Sequence, residues 1–198
     1  MENESPTRTI CVYSVDAEHR IRWIANDWHD FASHNQGSHL TPAQLIGRSL
    51  WDFISDPSTR SIYRTLVDIV LLRGTPTTFG FRCDSPTHRR HMRMEMSRPR
   101  QGICQFRSMI LADEERRYVS FIDTEQPRSD EFVRICSWCK RIAHPLGHWI
   151  EVEQAVSDLG LFTRRVQPLP THGICPGCES TLLRQIDALQ QLSSGESN

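Results

Sequence analysis

Arg89-Arg90-His91-Met92-Arg93-Met94-Glu95-Met96, in the middle of the chain, is the stretch that decides the fold class. Its methionines alternate with charged residues, and this period of two predicts a β-strand with one buried face. Residues 77–83 and 103–111 are strand-like runs on either side, and the segment 98–102, which holds a proline and a glycine, predicts a turn. The middle of the chain is therefore predicted to form three sequential strands.

The clearest helix in the sequence precedes these strands. Asp56 supplies an N-cap and Pro57 stands at the first helical position. Apolar residues then recur at helical spacing until Arg73 and Gly74, which end the helix. We therefore predict one long amphipathic helix before the three strands.

A hairpin and two short helices are predicted at the start of the chain. Residues 10–15 and 20–25 are apolar runs around a turn. Residues 27–34, with Asn26 as N-cap, and 41–47 predict the short helices. Two strands, several helices and three strands predict an α+β domain, whose five-stranded antiparallel sheet carries its helices on one side.

The chain is predicted to divide into two domains. The charged segment 113–130 separates an α+β domain over 8–123 from a cysteine-containing module over 131–192. Residues 118–122 are apolar enough for either a last strand or an amphipathic connector.

Composition limits the classes of partner. The net charge of -1 and the pI of about 6.7 do not indicate binding to nucleic acid or to an anionic membrane. The start of the chain has no basic segment followed by an apolar run, so it does not resemble a secretory signal. The most apolar segment, 66–72, falls far short of the roughly 20 residues that span a bilayer. We expect a soluble cytoplasmic protein that does not bind membranes.

Two Cys-x-x-Cys pairs carry the clearest chemistry. Cys136 and Cys139 form the first pair, and Cys175 and Cys178 form the second. Two such turns bring four thiolates around one ion, and Zn²⁺ prefers four N or S ligands in a tetrahedron. The helix-like pattern over 149–161 lets the intervening chain fold back. We predict a structural zinc site, since four thiolates leave no position for a substrate.

Alternatives to zinc stay open on the sequence alone. The four cysteines also suit a thiol–disulfide switch or an iron–sulfur cluster. His172 lies close to the second pair and is either a ligand in place of one cysteine or a hydrogen-bond donor to a thiolate. We favour the hydrogen-bond role, because four cysteines already satisfy zinc.

Two motifs in the first half resemble a known family. They are Trp23-Ile24-Ala25-Asn26-Asp27-Trp28 and Ile46-Gly47-Arg48-Ser49-Leu50-Trp51-Asp52-Phe53-Ile54. With the long helix that follows, they resemble a PAS domain, a sensor module common in bacterial signalling, over residues 8–122. The resemblance implies a cupped sheet whose concave face holds a ligand or is filled by side chains.

The same resemblance directs attention to five aromatic residues and to the cofactors of the family. The candidate pocket residues are Trp23, Trp28, Phe31, Trp51 and Phe53. Ordinary packing in the core is the alternative for them. Flavin sensors of the family carry a Gly-x-Asn-Cys-Arg-Phe type of run, and haem sensors often place a histidine in the long helix. Neither feature is present, so neither flavin nor haem is expected.

The second half resembles the cysteine-rich segment that follows PAS or receiver domains in many bacterial signalling proteins. The resemblance covers 134–183 and rests on Ile135-Cys136-Ser137-Trp138-Cys139-Lys140-Arg141-Ile142, Gly147-His148-Trp149, Val152-Glu153 and Thr171-His172-Gly173-Ile174-Cys175-Pro176-Gly177-Cys178. After it, residues 181–192 predict an amphipathic helix that packs on the module, or mediates homodimerisation or docking to a partner.

These features favour a regulatory protein that is not an enzyme. No Ser/His/Asp arrangement, phosphate loop or metal-hydrolase motif is present in the sequence. The first hypothesis is a signalling module that senses a small molecule or a protein and acts on a separate partner protein. The alternatives are a zinc-dependent transcription regulator that contacts DNA through its arginine-rich strands, and a thiol-based redox sensor.

Overall fold

The computed structural model describes residues 8–25, 28–34, 37, 40–161 and 165–192. Asn26, the expected N-cap of the first helix, lies outside these residues.

The first half forms a five-stranded antiparallel sheet, as predicted. Its strands are β1 (Arg8–Asp16), β2 (Ile21–Ile24), β3 (Thr77–Arg82), β4 (His88–Arg100) and β5 (Ile103–Glu115). They are arranged in the order β2-β1-β5-β4-β3. The methionines at 92, 94 and 96 all point into the interior and are at most 5% exposed. Strands β4 and β5 extend farther than the alternating pattern predicts, because their cross-strand pairing continues at both ends, from Arg100 with Ile103 to His88 with Glu115.

The helices that pack on this sheet all lie between β2 and β3 in the chain. They are α1 (Trp28–His34), α2 (Pro42–Leu45), a 3-10 turn (Leu50–Phe53) and α3 (Pro57–Arg73). The predicted ends of α3 are confirmed: Asp56 accepts a 2.7 Å hydrogen bond from the Thr59 N–H, and Gly74 ends the helix at a φ of +73°. The buried face of α3 joins the core formed with the sheet.

The second half forms a smaller four-stranded sheet. Its strands are β6 (Arg128–Cys136), β7 (Ile142–Ala143), β8 (Trp149–Ile150) and β9 (Gln167–Gly173), in the order β8-β7-β6-β9. Strand β9 runs parallel to β6, and the other neighbours are antiparallel. The sequence patterns did not predict this sheet, because the pairing of β6 with β9 joins residues far apart in the chain.

Two helices and a connector complete the module and differ from the expected bounds. Helix α4 (Val152–Asp158) is shorter than the predicted helix, because β8 takes its first residues. Helix α5 (Pro176–Leu192) begins five residues before position 181, with proline in its first turn. The connector Ser120–Ile122 is a 3-10 turn rather than a strand. None of the helices in the described residues is long and apolar enough to cross a membrane.

One hydrophobic core spans the two halves, and the second half contains a further buried cluster of its own. Cys136, Trp138 and Ile174 of the second half belong to the same buried cluster as α3 and the first sheet, and Leu182 and Ile186 of α5 join them. Backbone and side-chain hydrogen bonds cross the same boundary. The Arg82 N–H donates to the Trp138 carbonyl at 2.7 Å. The cysteine module is therefore packed directly against the first sheet.

Candidate metal centre and adjoining cavity

The structure brings the four predicted cysteines together. The Sγ atoms of Cys136, Cys139, Cys175 and Cys178 all lie within 4.8 Å of one another. The sulfurs of Cys139 and Cys175 are 3.6 Å apart, much farther than the roughly 2.05 Å of a disulfide. Cys136 and Cys175 are buried, and the other two are half-buried. Four cysteines this close can bind a metal ion such as zinc.

Two local structures position the sulfurs. Cys136 ends β6, and the chain then turns back so that the Lys140 N–H donates to the Cys136 carbonyl at 3.1 Å. Lys140 has a φ of +60° in this turn. Cys175 immediately precedes α5, and Cys178 lies in its first turn. The backbone N–H groups of Cys175 and Cys178 point at sulfur, each at 3.4 Å.

The sulfurs of the cluster shift one another's pKa values. Hydrogen bonds donated by the thiols of Cys139 and Cys178 lower the pKa of Cys136 well below its ordinary value. The same contacts raise the pKa of Cys139 to about 12, and they raise that of Cys178. Thiolates at this distance repel one another unless a positive ion compensates.

The donor set fits a single tetrahedral ion. Zinc–sulfur bonds of about 2.3 Å place the sulfurs of a tetrahedron about 3.8 Å apart. The observed limit of 4.8 Å and the 3.6 Å pair lie close to that spacing. The other three cysteines lie outside the cluster. Burial raises the pKa of one of them, Cys104, to about 12, which disfavours its thiolate.

A cavity of about 490 Å³ lies beside the cysteine cluster. Helix residues Leu50, Thr59 and Tyr63 line one side of it, and Met92 and Met94 line the side formed by the sheet. Part of its wall comes from the cysteine module, through Ser137, Trp138, Lys140 and His172. Its volume is in the range of sites that bind small molecules. Both halves of the chain therefore form the wall of this cavity.

The five aromatic candidates have different environments. Trp28 and Phe53 line the cavity. Trp51 is buried elsewhere in the core and donates its indole N–H to His19 Nδ1 at 3.1 Å. Trp23 is 48% exposed on β2, outside the cavity wall. The side chain of Phe31 lies outside the described part of the chain.

Sequence reasoning missed most of the residues that line the cavity, among them Tyr63, Trp138, Lys140 and His172. The helical pattern of α3 identifies Tyr63 as a cavity residue only when the sheet that it faces is known. Trp138 and Lys140 lie next to Cys139 in the first cysteine motif, so their position in the sequence could have marked them as candidates. His172 lies in the cavity wall, and within the described residues no hydrogen bond joins it to a cysteine sulfur. Burial lowers the pKa of His172, and the charge of Lys140 adds to this effect.

A network of ion pairs also joins the two halves. Buried Arg82 pairs with Asp84 and, at 2.6 Å, with Glu151 of the module. Arg116 pairs with Asp84 at 3.1 Å and with Glu153 at 3.2 Å. Arg82 and Arg116 are therefore both engaged in ion pairs with carboxylates of the protein itself.

Comparisons with known proteins give little information on function. No protein-family model matches the chain, and no curated protein matches its sequence. Among solved structures, the crystal structure of a domain of HTR-like protein from Haloarcula marismortui ATCC 43049 is similar. The identity is 14%, the TM-score is 0.34, and the match covers 55% of this chain and 100% of that chain. A likeness this weak carries no argument about function.

Proposed function

We propose that this chain is a regulatory protein of signal transduction, in which a PAS-like domain takes up a small molecule and a zinc ion stabilises the adjoining module. The order of the elements supports the PAS-like assignment, since two strands, a set of helices and three strands build one antiparallel sheet. We do not propose an enzyme, because four sulfurs fill every position of a tetrahedral ion.

The observation that carries this proposal is the shared wall of the cavity. A molecule in it contacts the sheet, α3 and the loop that holds Trp138 and Lys140. Binding there changes the free energy of the packing between the two halves, because the bound molecule interacts with both. We propose that a separate partner protein responds to this change at the surface of the module.

The zinc ion is proposed for a structural role. The four cysteines come from two segments, the turn after β6 and the start of α5. An ion bound by all four links these segments, and its binding free energy becomes part of the folding free energy of the module. The ion would also stabilise the cysteine loop that forms part of the cavity wall.

The proposal is tested first by the metal content and visible spectrum of protein purified without added metal. We expect a colourless protein with about one zinc per chain. The double variant Cys175→Ser/Cys178→Ser should contain none, because two ligands are lost. Cys83→Ser is the matched control, since Cys83 is half-buried but lies outside the cluster, and it should retain zinc.

Two other outcomes would contradict the zinc assignment. A brown protein that contains iron and sulfide would identify an iron–sulfur cluster. A metal-free, colourless wild type would favour a thiol switch, which counting of free thiols before and after peroxide treatment would then reveal.

A further inference from the structure

Lys140 is the only lysine in the sequence, although the chain has 23 lysines and arginines in total. It directly follows the metal-site residue Cys139 and lines the cavity. The lysine ammonium group is a compact charge with three hydrogen-bond donors. The planar guanidinium group of arginine instead suits bidentate hydrogen bonds with carboxylates. The one compact cation of the chain therefore stands in the cavity wall.

The other charged residues of the cavity wall already have partners. Asp56 caps α3 through the Thr59 N–H, and Arg82 is paired with Asp84 and Glu151. The Lys140 ammonium donates to the Ser137 carbonyl at 3.1 Å. No carboxylate in the described parts of the chain lies within ion-pair distance of Lys140. The half-buried ammonium thus has donors left for another group.

A second donor without a partner comes from the same loop. Trp138 lines the cavity and is 3% exposed, and its buried indole N–H has no hydrogen-bond acceptor among the described residues. A buried polar group without a partner costs free energy. The indole nitrogen is itself closed off from the cavity space, so Lys140 is the donor of the cysteine loop that a bound molecule can reach.

We propose that the cavity binds a small molecule with an apolar body and one carboxylate, which Lys140 holds by charge. The inference rests on the proposed function and names the class of ligand. The remainder of the wall, including Leu50, Met92 and Met94, suits an apolar body. A phosphate or another dianion fits less well, because Arg82 is already used by carboxylates of the protein.

Calorimetric titration of the zinc-loaded full chain with three matched probes tests the proposal. The probes are decanoate, decan-1-ol and decylamine, which share an apolar chain and differ in the head group. We expect decanoate to bind most tightly. Lys140→Met should weaken decanoate binding roughly tenfold or more, because a charge-assisted hydrogen bond is lost. Lys140→Arg should weaken it less, and both variants should affect decan-1-ol binding far less than decanoate binding while they retain zinc.

The single lysine provides an independent spectroscopic reading. Reductive methylation with ¹³C-formaldehyde keeps the charge of an amine, and in this chain it labels Lys140 and the terminal amine alone. We expect decanoate to shift the dimethyl-lysine signal in a saturable way, whereas decan-1-ol should shift it far less. Lys140→Met identifies the signal by removing it.

The outcomes separate this inference from the proposed function. Ser108 lines the cavity, so Ser108→Leu should fill part of it and reduce binding of every probe. If decan-1-ol or decylamine binds at least as tightly as decanoate, and Ser108→Leu weakens that binding, the cavity takes up small molecules but the carboxylate assignment is wrong. If no probe binds, both the assignment and the proposed uptake of a small molecule fail.

Discussion

Trp138 connects the cysteine loop to the first half of the chain. In the sequence it is merely one of the two residues between Cys136 and Cys139. In the structure its ring lies 5.3 Å from Tyr63 of α3 and 6.1 Å from Phe79 of β3, measured between centroids. The loop that holds the metal ligands is therefore anchored in the shared core.

Trp138→Ala should lower the free energy of unfolding by about 3–5 kcal/mol, because it leaves a large cavity in the shared core. Trp138→Phe should cost much less, since it keeps most of the ring and loses an N–H that has no acceptor among the described residues. Urea denaturation followed by far-UV circular dichroism measures both variants.

Trp23→Ala is the control for that series, because Trp23 is 48% exposed. We expect a change within about 0.5 kcal/mol for this surface substitution. If Trp138→Ala were as mild as Trp23→Ala, the loop would not be anchored as described.

Helix α3 is the element that supports both the cavity and the shared core. Its first turn is capped by Asp56, and its last turn is covered by Arg98 from β4. The Arg98 guanidinium donates to the carbonyls of Leu71 and Leu72 at 2.8 and 3.3 Å. Arg98 also lies directly over Gly74, where an added Cβ would overlap it. The end of the helix thus requires glycine for its backbone angle, and an added Cβ would displace the Arg98 guanidinium.

Gly74→Ala should destabilise the protein by about 1–2 kcal/mol, because alanine is strained at a left-handed φ of +73°. Displacement of Arg98 from the helix carbonyls adds to this loss. Thermal unfolding measures the effect. Gly177→Ala is the matched control, since Gly177 lies in α5 and an added Cβ meets no atom within 4 Å. An equal loss of stability in both variants would show that the end of α3 has no particular requirement for glycine.

At the scale of the whole molecule, charge holds the two halves together beside the shared core. The side chains of Arg82 and Arg116 of the first half are each 7% exposed, and they contact Glu151 and Glu153 of the module. Burial raises the pKa of Glu151, but hydrogen bonds from Arg141 and Arg82 outweigh it and hold the pKa below its ordinary value of 4.5. The pKa of Glu153 is lowered in the same way, with Arg89 and Arg116 as partners.

These lowered pKa values predict a loss of stability in acid. A carboxylate whose folded pKa is depressed stabilises the fold fully above its ordinary pKa of about 4.5 and loses that contribution as the pH falls through the folded value. Glu151→Gln should therefore destabilise the protein at pH 6 by at most about 1 kcal/mol, since Glu151 is partly exposed. The difference from wild type should shrink toward pH 3, as measured by urea denaturation.

Glu18→Gln is the control for the acid series, because Glu18 is exposed in the turn after β1. It should leave the pH dependence unchanged. A wild-type minus Glu151→Gln difference that stays constant between pH 6 and pH 3 would contradict a role for this ion pair.

The sequence by itself determined the elements of the first half and the ligand set of the candidate metal centre. Alternation at Met92, Met94 and Met96 fixed a strand, and Asp56 with Gly74 marked both ends of α3. The spacing of the four cysteines identified them as one candidate cluster. These features are local, because backbone periodicity, capping and turn geometry depend on residues close together in the chain.

Only the tertiary structure decided which surfaces meet. It paired β6 with β9, and it placed His172 and Lys140 in the wall of the same cavity as Met94. It also separated aromatic residues that look alike in sequence, since Trp28 lines that cavity while Trp51 packs elsewhere. Such contacts depend on how complete sheets and helices pack on one another. Local sequence patterns set the faces of each element but not the partner of each face.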